Sequence, residues 1–169
     1  MALKDKILKD LSVATKEKKE VELLVLRQIL SATLNQEKEK RFKLSKEKPD
    51  MAGEDLDKES RLAEEEVQSI IFTEAKKRKE AMVDYEKGGR QDLVDKEKAE
   101  LAILEDYLPE QMSGEELKNL AKEAIDKIGA KSMQDIGKVM SDLMPKVKGK
   151  ADGGQVNQVV KSLLENAGD

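Results

Sequence analysis

Lys146, Lys148 and Lys150 flank Gly149, with no acid between Leu143 and Ala151, just ahead of a helix expected to start near Asp152. Ammonium groups beside the backbone amides of a helix start are the elements of a phosphate site. Asp152 at the cap argues against an anion directly on the terminus, and a merely solvated turn is the competing reading. Lys138, on the preceding helix, is grouped with these cations. A second basic run is Lys76-Lys77-Arg78-Lys79. At about 100° per residue, Lys76, Lys79 and Lys87 fall within a sector of roughly 80°, away from the apolar stripe, and Arg90 extends it beyond Gly88-Gly89. Glu80, Asp84 and Glu86 lie close by, so a solvated face competes with a nucleic-acid ridge. Arg78 falls on the apolar stripe, where the expected partner is a carboxylate of another helix.

Other chemistry is limited by what the chain lacks. With no His and no Cys, thiol nucleophiles, Ser-His dyads, zinc-finger sites and imidazole acid-base catalysis are excluded. Neither phosphate-binding glycine motif, Gly-x-x-x-x-Gly-Lys-Ser/Thr or Gly-x-Gly-x-x-Gly, occurs. Glu64-Glu65-Glu66 are consecutive, and on a helix they point about 100° apart, so they read as acids complementing a helix dipole rather than as metal ligands. No catalytic residue, cofactor or metal is expected. Tyr107-Leu108-Pro109 reads as a junction, because Pro109 disfavours helix at Leu108 and Tyr107 is one of four aromatics in the chain.

The elements that must carry these residues are all helical. Leu3, Ile7, Leu8, Leu11 and Ala14 recur at helical spacing. From Val21 to Leu34 a second helix is apolar over most of its girth and is expected to be central. Between Phe42 and Glu66 the periodicity fades, Pro49 and Gly53 interrupt, and residues 49–66 hold eight acids against two bases. The first part of this stretch reads as a mobile loop, Lys43 to Asp57. A third helix is expected from about Leu56 to Lys87, with Val67, Ile71, Ala75, Met82 and Tyr85 on one stripe and Gly88-Gly89 as its stop. Asp92 is expected to cap a fourth, with Leu93, Leu101, Leu104 and Leu108 on its apolar face. After Pro109 come three short helices: one opened by a Ser113-x-x-Glu116 capping box and closed by Gly129, one from Ser132 and Asp135 to Pro145, and one capped by Asp152. The fold class is therefore all-α, with an N-terminal domain of longer helices (1–108) followed by a small C-terminal three-helix bundle (109–169).

Composition agrees. Of 169 residues, 40% are charged and 2% aromatic, with 32 Lys and Arg against 36 Asp and Glu, a net charge of −4. The 20 Leu residues, with Ile, Val, Met and Ala, are enough for a core if aligned on helical faces. No apolar run approaches the ~18 residues of a membrane span, and Lys or Asp interrupts Met1 to Glu20 too often for a signal peptide. A cytoplasmic protein without a membrane association is expected.

Three stretches taken together carry a resemblance: Lys76-Lys77-Arg78-Lys79-Glu80; Gly89-Arg90-Gln91-Asp92-Leu93-Val94 leading to Tyr107-Leu108-Pro109-Glu110-Gln111; and Gly137-Lys138-Val139-Met140 with Lys148-Gly149-Lys150-Ala151-Asp152-Gly153. Their order and spacing resemble the YqeY family, the GatB/YqeY-domain proteins, over Leu3 to about Leu164. The resemblance implies a C-terminal part similar to the GatB tail domain of the tRNA-dependent amidotransferase, a helical module that binds tRNA. The acidic stretch from Lys46 to Glu59 is longer than the family pattern suggests.

The resemblance implies a non-catalytic protein that binds tRNA or a related RNA through its C-terminal domain, beside aminoacyl-tRNA amidation or synthetase machinery. The near-neutral charge and the four aromatics do not favour general nucleic-acid binding. A protein-interaction module, in which the central helices dock another protein, is the alternative. A carbon-nitrogen ligase using glutamine as amido donor follows only from the shared domain label, and shared fold does not carry chemistry with it.

Overall fold

The structure is a computed structural model that describes residues 2–166. Residues 167–169, the end of the expected second domain, lie outside the described residues. Among the described residues every regular element is helical. The fold divides between Leu108 and Pro109 into two compact units, each with its own core.

The first unit contains α1 (Leu3–Glu17), α2 (Glu20–Glu47), α3 (Gly53–Glu59), α4 (Glu64–Lys87) and α5 (Gln91–Glu105). Its core joins Leu3 and Ile7 of α1, Val25, Leu26 and Ile29 of α2, Val67, Ile71 and Ala75 of α4, and Leu101 and Leu104 of α5. Each fully buried Leu, Ile or Val contributes about 1.5–3 kcal/mol by leaving water. Tyr107 closes the core: its ring is buried, its hydroxyl donates to Asp10 Oδ2 at 2.7 Å, and Lys6 Nζ lies 4.7 Å from its centroid. Burial, then the Asp10 carboxylate, push the phenol pKa well up.

Arg78 lies in the middle of this unit, 8% exposed. Its guanidinium meets Glu100 of α5 at 3.0 Å, Glu74 one turn back at 3.1 Å, and the side-chain oxygen of Gln28 on α2. One side chain thereby ties α2, α4 and α5 together, in keeping with its position on the apolar stripe. Burial would push the Glu74 carboxyl up, yet the hydrogen bonds from Lys77 and Arg78 outweigh it and hold the pKa below its ordinary value.

Several boundaries differ from expectation. The α2 helix runs through Phe42 and Leu44 to Glu47, where the fading periodicity suggests a loop. Apolar periodicity fades there because the segment is exposed, with Phe42 60% accessible, while Glu37 to Glu47 consists mostly of good helix formers. Ion pairs tie it to the following segment: Lys40 to Glu66, Arg41 to Asp57 and Lys48 to Glu59. The single helix expected from Leu56 to Lys87 is two helices, broken at residues 60–63. Side chains hold the break: Glu37 accepts from Leu62 N, Lys40 donates to the Arg61 carbonyl, and Glu66 accepts from Ala63 N. Asp92 is not the cap of α5 but its second residue, paired with Arg90 at the cap position. Nor is α2 buried all round, since Val21, Leu24 and Leu34 are exposed.

The second unit contains α6 (Gly114–Ile128), a 3-10 turn at Met133–Asp135, α7 (Ile136–Val147) and α8 (Gly153–Asn166). The Ser113 hydroxyl accepts from Glu116 N, and the Glu116 carboxylate accepts from Ser113 N at 2.8 Å, so both halves of the expected capping box form. Gly129 ends α6 at φ +68°, a left-handed position open to glycine at little cost. Ser132 caps the 3-10 turn. Pro145 does not end α7; the helix continues to the fully buried Val147.

Removing one partner of the buried pair leaves a charge without compensation. Arg78→Ala or Glu100→Ala should cost about 3–5 kcal/mol in urea denaturation, whereas Arg78→Met combined with Glu100→Leu should lose much less than either single change.

Candidate functional site

The turn from Lys148 to Asp152 is held in a defined shape. Val147 O accepts from both Lys150 N and Ala151 N, Met112 N donates to Lys150 O at 2.8 Å, and the Gln111 side-chain amide donates to the carbonyls of Pro109 and Gly149. Gly149 adopts φ +75°, which explains the glycine between two lysines. Asp152 caps α8 by accepting from Gln155 N at 3.1 Å, as expected.

The predicted cations are less available than their sequence suggests. Lys146 belongs to α7 rather than to the loop, and it meets Asp142 at 2.6 Å. Asp142 also receives Lys127 at 2.6 Å. Hydrogen bonds from Lys127 first and Lys146 second hold its carboxyl below the ordinary aspartate range. Lys138 pairs with Asp135 at 3.0 Å, one helical turn back, and this lowers the Asp135 pKa. Of the four lysines, only Lys148 and Lys150 lie between the helices. Lys150 also lines a depression of about 410 Å³ whose other charged walls are Glu110, Glu116 and Glu123.

On α4 the basic ridge is likewise matched by acids. Lys76 lies 4.0 Å from Glu80, Lys79 meets Glu105 of α5 at 3.0 Å, Lys87 meets Asp84 at 3.3 Å, and Arg90 takes Asp92 at 2.8 Å. Their partners lie along the same helix, on the neighbouring one or at its first turn, so the ridge is a laced, solvated surface. Glu66 turns back onto the α4 start and Lys40, and among the described residues no group of three or more acids could hold a metal ion.

A feature not foreseen from the sequence is the groove between α6 and α8, about 630 Å³ in volume. Met112, Leu117, Val159 and Leu163 supply its apolar surface, while Lys118, Gln155, Gln158 and Ser162 stand around it. Leu117, Val159 and Leu163 are recognisable as apolar positions, but the groove forms only because α6 and α8 pack side by side. One signal is present in the chain: residues 153–160 carry no charge, although 40% of all residues are charged.

A family model described as Yqey-like protein matches residues 48–164, more than half of the chain. The chain belongs to the YqeY-like family. The match spans most of the first unit from the end of α2 and nearly all the described part of the second; residues 3–47, included in the resemblance read from sequence, lie outside it. It begins at Lys48, within the acidic stretch from Lys46 to Glu59. No curated protein matches the chain. Among the described residues no helix is long and apolar enough to cross a membrane.

The double use of Asp142 gives a direct check. Its carboxyl should titrate below the ordinary aspartate range when followed by NMR, and Lys127→Met should move that titration upward. The sign follows from a depressed native pKa: the stabilising effect of Asp142 is present above the unfolded value and is lost as pH falls through the folded one.

Proposed function

We propose that this YqeY-like protein is a non-catalytic binding module whose C-terminal unit docks one amphipathic helical segment of a partner protein in the α6–α8 groove. The observation that carries this reading is the groove, with an apolar floor beneath a rim in which, among the described residues, Lys118 is the one cation. The stretch of α8 from Gln155 to Leu163 rises about 12 Å, two turns, which suits the apolar anchors of a docked helix. Lys118 favours an acidic residue on the partner. The second unit has nine Lys against ten Asp and Glu and no aromatic residue. Base stacking is unavailable to it, and its long-range attraction for phosphates is weak.

A second reading, tRNA binding, is supported by the resemblance to the amidotransferase tail domain and by the rigid Lys148-Gly149-Lys150 turn. The amidotransferase relation adds no chemistry to either reading. A thioester with glutamine needs a Cys, and an imidazole base needs a His; the chain has neither.

A photo-crosslinking residue at Gln158 distinguishes the two readings in cells. The expected product is a discrete protein adduct that is lost in the exposed variant Lys118→Glu and in Val159→Asp. RNA adducts instead, together with saturable tRNA binding whose logarithmic salt slope falls by about 1.5 units in Lys148→Ala/Lys150→Ala, would favour the tRNA reading. In a separate assay, the purified protein should release no ammonia from glutamine, with or without tRNA and ATP.

A further inference from the structure

The first unit contains a second site, built from residues unrelated to the groove. Lys4 of α1, Lys38 and Arg41 of α2, and Arg61 after α3 line one pocket of about 230 Å³. Among the described residues only two carboxylates share it, Glu37 and Asp57, although the adjoining segment is strongly acidic. Both are engaged. Glu37 receives Lys4 on both oxygens at 2.7 Å and the Leu62 amide at 3.2 Å, with its side chain 13% exposed. Asp57 takes Nε of Arg41.

Those pairs fasten the walls. Lys4–Glu37 joins α1 to α2, Arg41–Asp57 joins α2 to α3, and Ser60, buried at the α3 end, donates to the Asp57 carbonyl. Lys38 and Arg61 meet no carboxylate within 4.0 Å among the described residues. The pocket therefore holds more fixed positive charge than its own acids neutralise, on a frame set by three helices.

We infer that this pocket binds the dianionic phosphate group of a small molecule. An ammonium and a guanidinium without internal partners are the groups that recognise such an anion, Arg by its fork and Lys as a point charge. Size restricts the ligand. At ~30 Å³ per water the pocket has room for about eight, and it falls below the ~300–1,000 Å³ of a usual drug-sized site. A phosphate ion or a compact phosphomonoester fits, whereas a whole nucleotide would project into solvent. Lys and Arg keep their charge across neutral pH, while a phosphomonoester gains its second charge near pH 6 and inorganic phosphate about one pH unit higher. Binding should therefore tighten from pH 5.5 to 7.5, and sulfate, already dianionic, should show no such change.

The test is an amide NMR titration of the full chain with inorganic phosphate and, in parallel, with glycerol 3-phosphate. Saturable shifts confined to the surroundings of Lys38, Arg41, Ser60 and Arg61 are expected, with affinity falling at least tenfold in Lys38→Ala/Arg61→Ala. Both residues are exposed and without an ion-pair partner among the described residues, so the variant should retain its circular dichroism; Lys38→Gln alone serves if it does not. Whichever probe binds more tightly identifies the source as a free ion or a phosphomonoester. Lys122→Ala/Lys161→Ala, two exposed lysines of the other unit, should bind as wild type does. Shifts spread over all basic regions, no saturation at up to about 20 mM, equal affinity in the pocket variant, or no tightening with pH would each overturn the assignment.

Discussion

The buried Arg78–Glu100 pair is the constraint around which the first unit is arranged. A guanidinium and a carboxylate withdrawn from water are tolerable only if their remaining donors and acceptors are met, and here Glu74 and Gln28 do so from α4 itself and from α2. Three helices therefore have one allowed rotation relative to each other. Turning α4 by one residue would place Lys77 or Lys79 inside and Arg78 in solvent. The fate of the basic run follows: because Arg78 points inward, Lys76 and Lys79 must point outward, within reach of Glu80 and Glu105.

The second unit reaches a fixed arrangement without a buried charge. Ala121 and Ala124 are wholly buried in α6, and small side chains let neighbouring helices approach closely; Val139, Leu143 and Val147 of α7 and Val156, Val160 and Leu164 of α8 fill the rest. Its helix ends are set by local hydrogen bonds at Ser113, Gly129 and Asp152. The apolar stripe of α8 is wider than this packing consumes. Val156, Val160 and Leu164 are interior, while Val159 and Leu163, one position round, are only partly covered and become the side of a groove.

Features whose cause is local are legible in the sequence. Ser113 and Glu116 satisfy one another three residues apart, Gly129 and Gly149 occupy left-handed backbone, and Arg78 on an apolar stripe has to find a carboxylate. What stays hidden is tertiary. Phe42 to Glu47 loses its apolar period because periodicity reports burial, whereas helicity there comes from propensity and from ion pairs to residues 57–66. The break at residues 60–63 is held by Glu37 and Lys40 from a different helix; the one local signal, Glu66 accepting from Ala63 N, is lost among three consecutive glutamates. Lys146 looks unopposed because no acid lies between Leu143 and Ala151, yet Asp142 lies one turn earlier on the same face.

The case of Lys146 concerns how charge is distributed in a chain of this kind. With 40% charged residues and a net of only −4, many cations have an acid within reach, and a run of lysines by itself conveys little about partners. The informative cation is the one left over after the internal pairs have formed. By that measure the ridge on α4 and Lys146 recede, since their ammonium groups already have carboxylates. Lys38, Arg61 and Lys118 gain weight, because each stands beside a concavity with no carboxylate within ion-pair distance among the described residues. A cation in that position keeps its full attraction for an incoming anion, whereas a paired one must first break an internal contact before it can offer the same interaction.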